Sequence, residues 1–342
     1  MSRSLQPKTN DPSPFTSRLY LAGFMGGVAA VVFLLSKVLL VIFASILVAI
    51  ALCGVAKPIT KFSKIPHALA VLIATLIIAA AVGWPFMTYG SRLWAQFDEI
   101  AMDMPKAVNS IKASLEAHAS VQFLEQIVGD IDLSRIAAPV ATHLTSVISS
   151  VSTIIGYVIF LAFGGVYLAL NPERYVQGLL RFTPVNYRDR AQQFIEQCGA
   201  SLRVWLITQL LVVLINGIVV GIGLWAFGVN DAAALAMLAG LLSFIPYVGT
   251  IVAMIIGGLA TLPQGTVFAL YALAVLGFTS IIEGYFITPY IQSTTLSLPP
   301  VVLIFSIFSF TILFGTLGII LAAPLTVVSI VALETFYKPH LA

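Results

Sequence analysis

An all-α, polytopic membrane protein is the fold class this sequence predicts, on three observations. The 342-residue chain is 59% hydrophobic and only 9% charged, against about 25% charged in an ordinary soluble domain, and its mean hydropathy is +1.03. Eight apolar runs are long enough to cross a bilayer as helices, which takes about 17 to 25 residues each: 19–35, 38–56, 66–90, 146–170, 204–227, 232–260, 266–288 and 299–333. The charges are sorted between the connecting loops as membrane-crossing chains sort them. The last run is long enough to be broken or re-entrant, and the predicted architecture is about eight transmembrane helices with an extracytoplasmic amphipathic insertion.

Residues 1–18 hold Arg3, Lys8, Arg18 and three prolines, and no small-residue cleavage site follows the first apolar run. This reads as a disordered cytoplasmic tail rather than a cleaved signal. Residues 19–90 carry spans one to three. The first two spans meet around Ser36-Lys37 with so little chain between them that one long broken helix, and a total of seven, is the alternative. The stretch Lys57 to Lys64 has three lysines and no acid, and the loop 171–203 has five arginines, including Arg174, Arg181 and Arg203, against Glu173, Asp189 and Glu196. Lys and Arg in short loops favour the cytoplasm, so both stretches are assigned there. The segment 91–145 has seven acids against four bases and is assigned outside. Counting through then puts both termini in the cytoplasm, which requires an even number of spans.

Within 91–145, Trp94, Phe97, Ala101, Met104, Val108, Ile111 and Leu115 recur at alternating steps of three and four, the a/d spacing of a helical seam. Asp132 is placed to cap a second helix, whose stripe Leu133, Ile136, Val140, Leu144 and Val147 runs on into span four. The seam packs either on that second helix, as a hairpin, or on a neighbouring subunit. Residues 146–342 carry spans four to eight around the cytoplasmic loop 171–203.

Cys53 and Cys198 have no metal-like or redox-like spacing and exclude a disulfide framework. His67, His118, His143 and His340 lie far apart in sequence. There is no H-E-x-x-H, no G-x-S-x-G, no P-loop and no G-x-G-x-x-G before a helix, so the chain does not read as an enzyme or an ATP-driven pump. Nothing in it calls for a catalytic residue, metal, cofactor or nucleic acid. What remains are polar and helix-breaking groups at membrane depth, the marks of a transport path.

Three places carry them. In Phe244-Ile245-Pro246-Tyr247-Val248-Gly249-Thr250, Pro246 removes a backbone donor and Gly249 relaxes the chain, so the helix breaks there; such a break is either a ligand site or a packing kink. Glu283 is the only carboxylate well inside an apolar run, six residues before Pro289. An ionisable group in hydrocarbon costs roughly 2.5 to 3.5 kcal/mol even on lenient scales, which makes it a proton carrier, a cation ligand or a structural carboxylate bonded to another helix. On span five, Gln209 and Asn216 lie one heptad apart on one face, as ligands or as interhelical glue, and Arg203 marks a cytoplasmic entrance or an interfacial anchor beside Trp205. Gly217 and Gly221 form a G-x-x-x-G on the same helix, the usual sign of close packing. No internal repeat is visible.

The turn Asn171-Pro172-Glu173-Arg174, Gln209 with Asn216, Phe244 to Gly249, Glu283 with Ile287-Thr288-Pro289, Leu298-Pro299, Gly315, Gly318 and Ala323-Pro324-Leu325 together resemble the autoinducer-2 exporter family of bacterial membrane proteins, the PerM-like permeases. The resemblance covers nearly the whole chain. It implies an inner-membrane homo-oligomer of about eight helices, with an extracytoplasmic insertion between spans three and four, not powered by ATP. Some members export the small polar signal autoinducer-2, and others are sodium or lithium/proton antiporters. This chain reads Pro289-Tyr290-Ile291-Gln292-Ser293 where relatives usually have a glycine, and Leu298-Pro299-Pro300 where a His-Pro pair is frequent. Both departures bear on substrate rather than fold.

The leading expectation is a secondary exporter of a small polar solute, its path lined by Glu283, Gln209, Asn216, Pro246, Tyr247, Gly249, Thr250 and Pro289 and entered near Arg203. A sodium or lithium/proton antiporter using Glu283 is the alternative. A scaffold or regulator whose outer helices bind a partner is a third.

Overall fold

The computed structural model describes residues 35–117, 151–287 and 299–337. The expected tail, nearly all of the first span, the second outer helix and Pro289 lie outside the described residues, as do the side chains of the Trp94–Leu115 seam. Every regular element among the described residues is a helix, with no strand, because in hydrocarbon a helix satisfies every backbone group within one segment.

α1 (Ser36–Ser63) ends where Lys64 turns into the left-handed region at φ 52° and returns its N–H to Thr60 O. α2 (His67–Ala117) runs 51 residues without interruption, so the third apolar run and the seam segment are one continuous helix. α3 (Val151–Leu170) leads through Asn171 into the short α4 (Pro172–Arg181), with Pro172 at the first helical position, where its missing N–H is no loss. A 3-10 turn (Val185–Tyr187) precedes α5 (Arg188–Ala226). The remaining helices are α6 (Ala232–Leu242), α7 (Val248–Thr261), α8 (Thr266–Ile282), α9 (Pro300–Phe314) and α10 (Thr316–Phe336). Five described stretches are long and apolar enough to cross a membrane: Ser36–Ser63, His67–Arg92, Val185–Ala226, Thr266–Tyr285 and Thr316–Phe336.

With lipid on one side of most helices, packing relies on small residues that let backbones approach. Gly164 and Gly165 of α3 lie against Ser45 and Val48 of α1, and Ala56, Ala70, Ala74 and Ala169 fill the core where α1, α2 and α3 meet. The Gly217/Gly221 pair works as its spacing predicts: Gly217 faces Gly240 and Gly221 faces the Ala236 methyl, which brings α5 and α6 together.

Two of the apolar runs fold back on themselves. α6 and α7, about 17 and 21 Å long at 1.5 Å per residue, form a hairpin in which Gly249 sits against the Leu242 carbonyl. Its mouth is tied by Gln264, whose Nε2 donates to Gly228 O at 2.8 Å and whose Oε1 accepts from the Asn230 N–H at 2.9 Å. Arg92 and Asp231 pair at 3.6 Å at this same end of the bundle. α9 and α10 form a second hairpin around Gly315 (φ 64°), with Gly318 against the Phe310 carbonyl. Its open end lies at the opposite pole, where Thr335 Oγ1 donates to Gln197 Oε1 at 2.9 Å and the Phe194 and Phe336 rings stand 5.4 Å apart. The two hairpins meet inside the bundle: Val248 packs on the core of Leu303, Ile307, Ala322 and Ala323. Trp205 of α5 belongs to that contact and meets Phe244 edge-on at 5.7 Å, packing the two hairpins against α5.

Candidate functional site

The break between α6 and α7 is built by local chemistry. Pro246 cannot donate to a helix ladder, and the Val248 N–H instead bonds Pro246 O at 2.7 Å. This closes a γ-turn on Tyr247, which has φ 63° and ψ −53°, a rare and strained geometry for a residue with a side chain. The sequence assigned the backbone relaxation to Gly249. The structure gives the left-handed φ to Tyr247, and Gly249 is needed for another reason: a Cβ there would collide with the Leu242 carbonyl oxygen.

The break leaves Ser243 at the end of α6, and α5 answers it with two buried amides. Gln209 Nε2 donates to Ser243 O at 2.7 Å. Asn216 Nδ2 donates to Ser243 Oγ at 2.8 Å and to Glu283 Oε2 at 2.6 Å. Ser243 Oγ donates onward to Ala239 O at 2.8 Å. Because its hydrogen is committed there, Ser243 can only accept from Asn216. A carboxylate accepts too, so the amide nitrogen must face both and Oδ1 must point away. Asn216 is 2% exposed, and its Oδ1 has no hydrogen-bond partner among the described residues.

Glu283 begins a π-turn (Glu283–Ile287) that follows α8, an interruption common at functional sites. Thr279 and Ser280, one turn earlier, donate their hydroxyls to Val275 O and Leu276 O at 2.8 and 2.7 Å. Asn216, Ser243, Thr250, Thr279, Ser280 and Glu283 line one narrow cleft, with about 10 Å³ open to a water-sized molecule and apolar walls where Val220, Ala253 and Leu276 close it. Its polar lining is rich in acceptors: a carboxylate, and the hydroxyl oxygens of Ser243, Thr279 and Ser280, whose hydrogens are held by backbone carbonyls. A molecule that fits it donates hydrogen bonds or carries positive charge.

Of the residues singled out from sequence, Asn216, Thr250 and Glu283 line the cleft itself. Gln209, Pro246, Tyr247 and Gly249 build the break beside it. Arg203 does not join them, since it lies thirteen residues before Asn216 on α5, about 20 Å along a helix axis, on the side of Cys53. Sequence reasoning missed Ser243, the residue that connects α5 to the break, as well as Thr279 and Ser280. Their signals were a serine immediately before Phe244-Ile245-Pro246 and a hydroxyl pair one turn before the only deep acid. Among the described residues no group of His, Cys, Asp and Glu could hold a metal ion.

The family described as AI-2E family transporter matches residues 21–338. Similar proteins include YrrI of Bacillus subtilis, 23% identical over 308 residues and covering 87% of each chain. YueF of the same organism is 22% identical over 298 residues, 83% of this chain and 81% of its own. The AI-2 transport protein TqsA of Escherichia coli is 27% identical over 286 residues, 79% of this chain and 78% of its own.

Proposed function

Since this chain belongs to the AI-2E transporter family and is a membrane transporter, we propose that it exports a small, neutral, hydroxyl-bearing solute, of which autoinducer-2 is the first to try. The observation that carries the reading is the acceptor-lined cleft around Asn216 and Glu283, buried at a helix break between apolar walls. Hydroxyl groups would donate to the Glu283 carboxylate, and the half-helix ends at the break add their dipoles. TqsA, similar over most of the chain, is named for AI-2 transport, which supports the choice of solute. The reading places the chain in a bacterial inner membrane as a homo-oligomer, with both termini in the cytoplasm. That placement is supported by the basic stretches Lys57 to Lys64 and Arg174 to Arg190.

The test is efflux of the labelled solute from proteoliposomes of the purified protein, with and without imposed sodium and proton gradients. Efflux that needs the protein and falls in Asn216→Ala is the expected result. Sodium-dependent proton movement with no solute flux would replace the exporter reading with cation exchange at Glu283.

A further inference from the structure

A second surface, away from the cleft, has a chemistry of its own. α4 follows the apolar helix α3 directly, and it buries no residue. Tyr175, Leu179 and Phe182 stand at i, i+4 and i+7 along it and its cap, one stripe of a helix, and all are exposed, Phe182 at 93%. Val176 and Leu180 are half-buried toward the protein. Arg174, Gln177 and Arg181 occupy the remaining face, and neither arginine makes an ion pair among the described residues.

The neighbouring turn repeats the pattern. His67 Nε2 hydrogen-bonds with Ala169 O at 3.0 Å, which fixes the start of α2 beside the end of α3. Lys57, Lys61 and Lys64 therefore lie at the same pole as α4, and Phe62 among them is 85% exposed. Exposed aromatic side chains among uncommitted cations, where apolar spans end, match the boundary between acyl chains and negatively charged headgroups. A soluble partner would leave unexplained why the apolar stripe continues the lipid-facing surface of α3, where Phe160, Phe163 and Tyr167 are exposed as well.

We propose that α4 and the Lys57–Lys64 turn form an in-plane docking surface for anionic phospholipid, with Tyr175, Leu179 and Phe182 immersed at the acyl boundary and Arg174 and Arg181 on the headgroup phosphates. The surface holds α4 flat on the membrane and sets the position of the α3–α5 connection against the leaflet.

Two measurements on the full chain test it. Spin labels are placed singly at Phe182→Cys, Leu179→Cys and Gln177→Cys in a Cys53→Ala, Cys198→Ala background, in nanodiscs of phosphatidylcholine with added phosphatidylglycerol. The labels at 179 and 182 should be reached by oxygen and shielded from a water-soluble nickel chelate, and the label at 177 should show the reverse. Phosphatidylglycerol retained on the purified protein, read by native mass spectrometry, should fall about fivefold for each of Arg174→Gln and Arg181→Gln, the ratio for about 1 kcal/mol per basic group at an anionic surface. A label at 182 open to the chelate would overturn the proposal by placing the stripe in water. A label shielded from both reagents would overturn it in favour of a second copy or another protein covering the helix. Unchanged retention in both arginine variants would show immersion without selection of charge and would remove the anionic lipid from the proposal.

Discussion

Asn216 and Glu283 are 67 residues apart in sequence, and in the folded chain the amide of one donates to the carboxylate of the other across 2.6 Å. That bond joins α5 to the π-turn after α8, and the same nitrogen holds Ser243 at the end of α6. One side chain therefore fastens three segments around the cleft.

Replacing that side chain tests both its roles. Asn216→Leu removes the only donor reaching both Ser243 Oγ and Glu283 and leaves a half-buried carboxylate without it, a loss of about 1 to 3 kcal/mol. A lowered thermal midpoint in detergent and abolished solute flux are expected. A variant equal to the parent in both would show that the network is ornamental to fold and transport alike.

The hydroxyl of Ser243 and its carbonyl serve different partners, and a double-mutant cycle separates them. Ser243→Ala with Asn216→Ala should be non-additive by roughly 0.5 to 3 kcal/mol, because the two share a bond. Ser243→Ala with Gln209→Ala should be nearly additive, since Gln209 binds the backbone oxygen that alanine keeps. Equal coupling in both pairs would contradict this division. Chemical denaturation in mixed micelles gives the values.

The hairpins depend on glycine where helix backbones nearly touch. Gly249→Ala and Gly318→Ala put a methyl into the carbonyls of Leu242 and Phe310, and each should destabilise by about 1 to 3 kcal/mol or more, the cost of overpacking. Gly54→Ala, with nothing within 4 Å of its added methyl, is the control and should be neutral or slightly stabilising. Melting curves of the purified variants decide; three similar midpoints would contradict the packing described.

Tyr247 holds a left-handed φ in the turn at the break, and the residue is 44% exposed. Tyr247→Gly should therefore keep or raise stability, because glycine adopts this geometry freely. Tyr247→Val should lower it by about 1 to 3 kcal/mol, the usual range for such strain. The opposite order would mean that the ring, not the turn, fixes this position.

The membrane class, the helix break and the polar residues of α5 were legible in sequence because each follows from a strong local preference. Hydrocarbon demands apolar runs, Pro246 interrupts a ladder, and an amide in an apolar helix stands out. What sequence concealed was long-range. Pro246 announces a break in the run 232–260, but that the two feet stand together at one pole is seen only where Gln264 reaches Gly228 and Asn230, a contact the run itself does not record. Ser243 was concealed because a serine in a membrane helix is commonplace, and only the arrival of Gln209 and Asn216 from another helix distinguishes it. Tyr247 was passed over in favour of Gly249 because glycine is the usual bearer of unusual φ, whereas the demand on Gly249 is steric.

The Gln264 clamp has a consequence for how the chain is threaded. A hairpin whose two feet stand together at one pole adds no net passage, so residues before Gly228 and after Gly265 keep their relative sidedness whatever happens to the α6–α7 finger between them. The finger can lengthen, shorten or change its tip without inverting anything downstream. The finger's share of the cleft wall, Ala239, Ser243, Thr250 and Ala253, is thereby free to change without disturbing the orientation of the helices that supply Asn216 and Glu283.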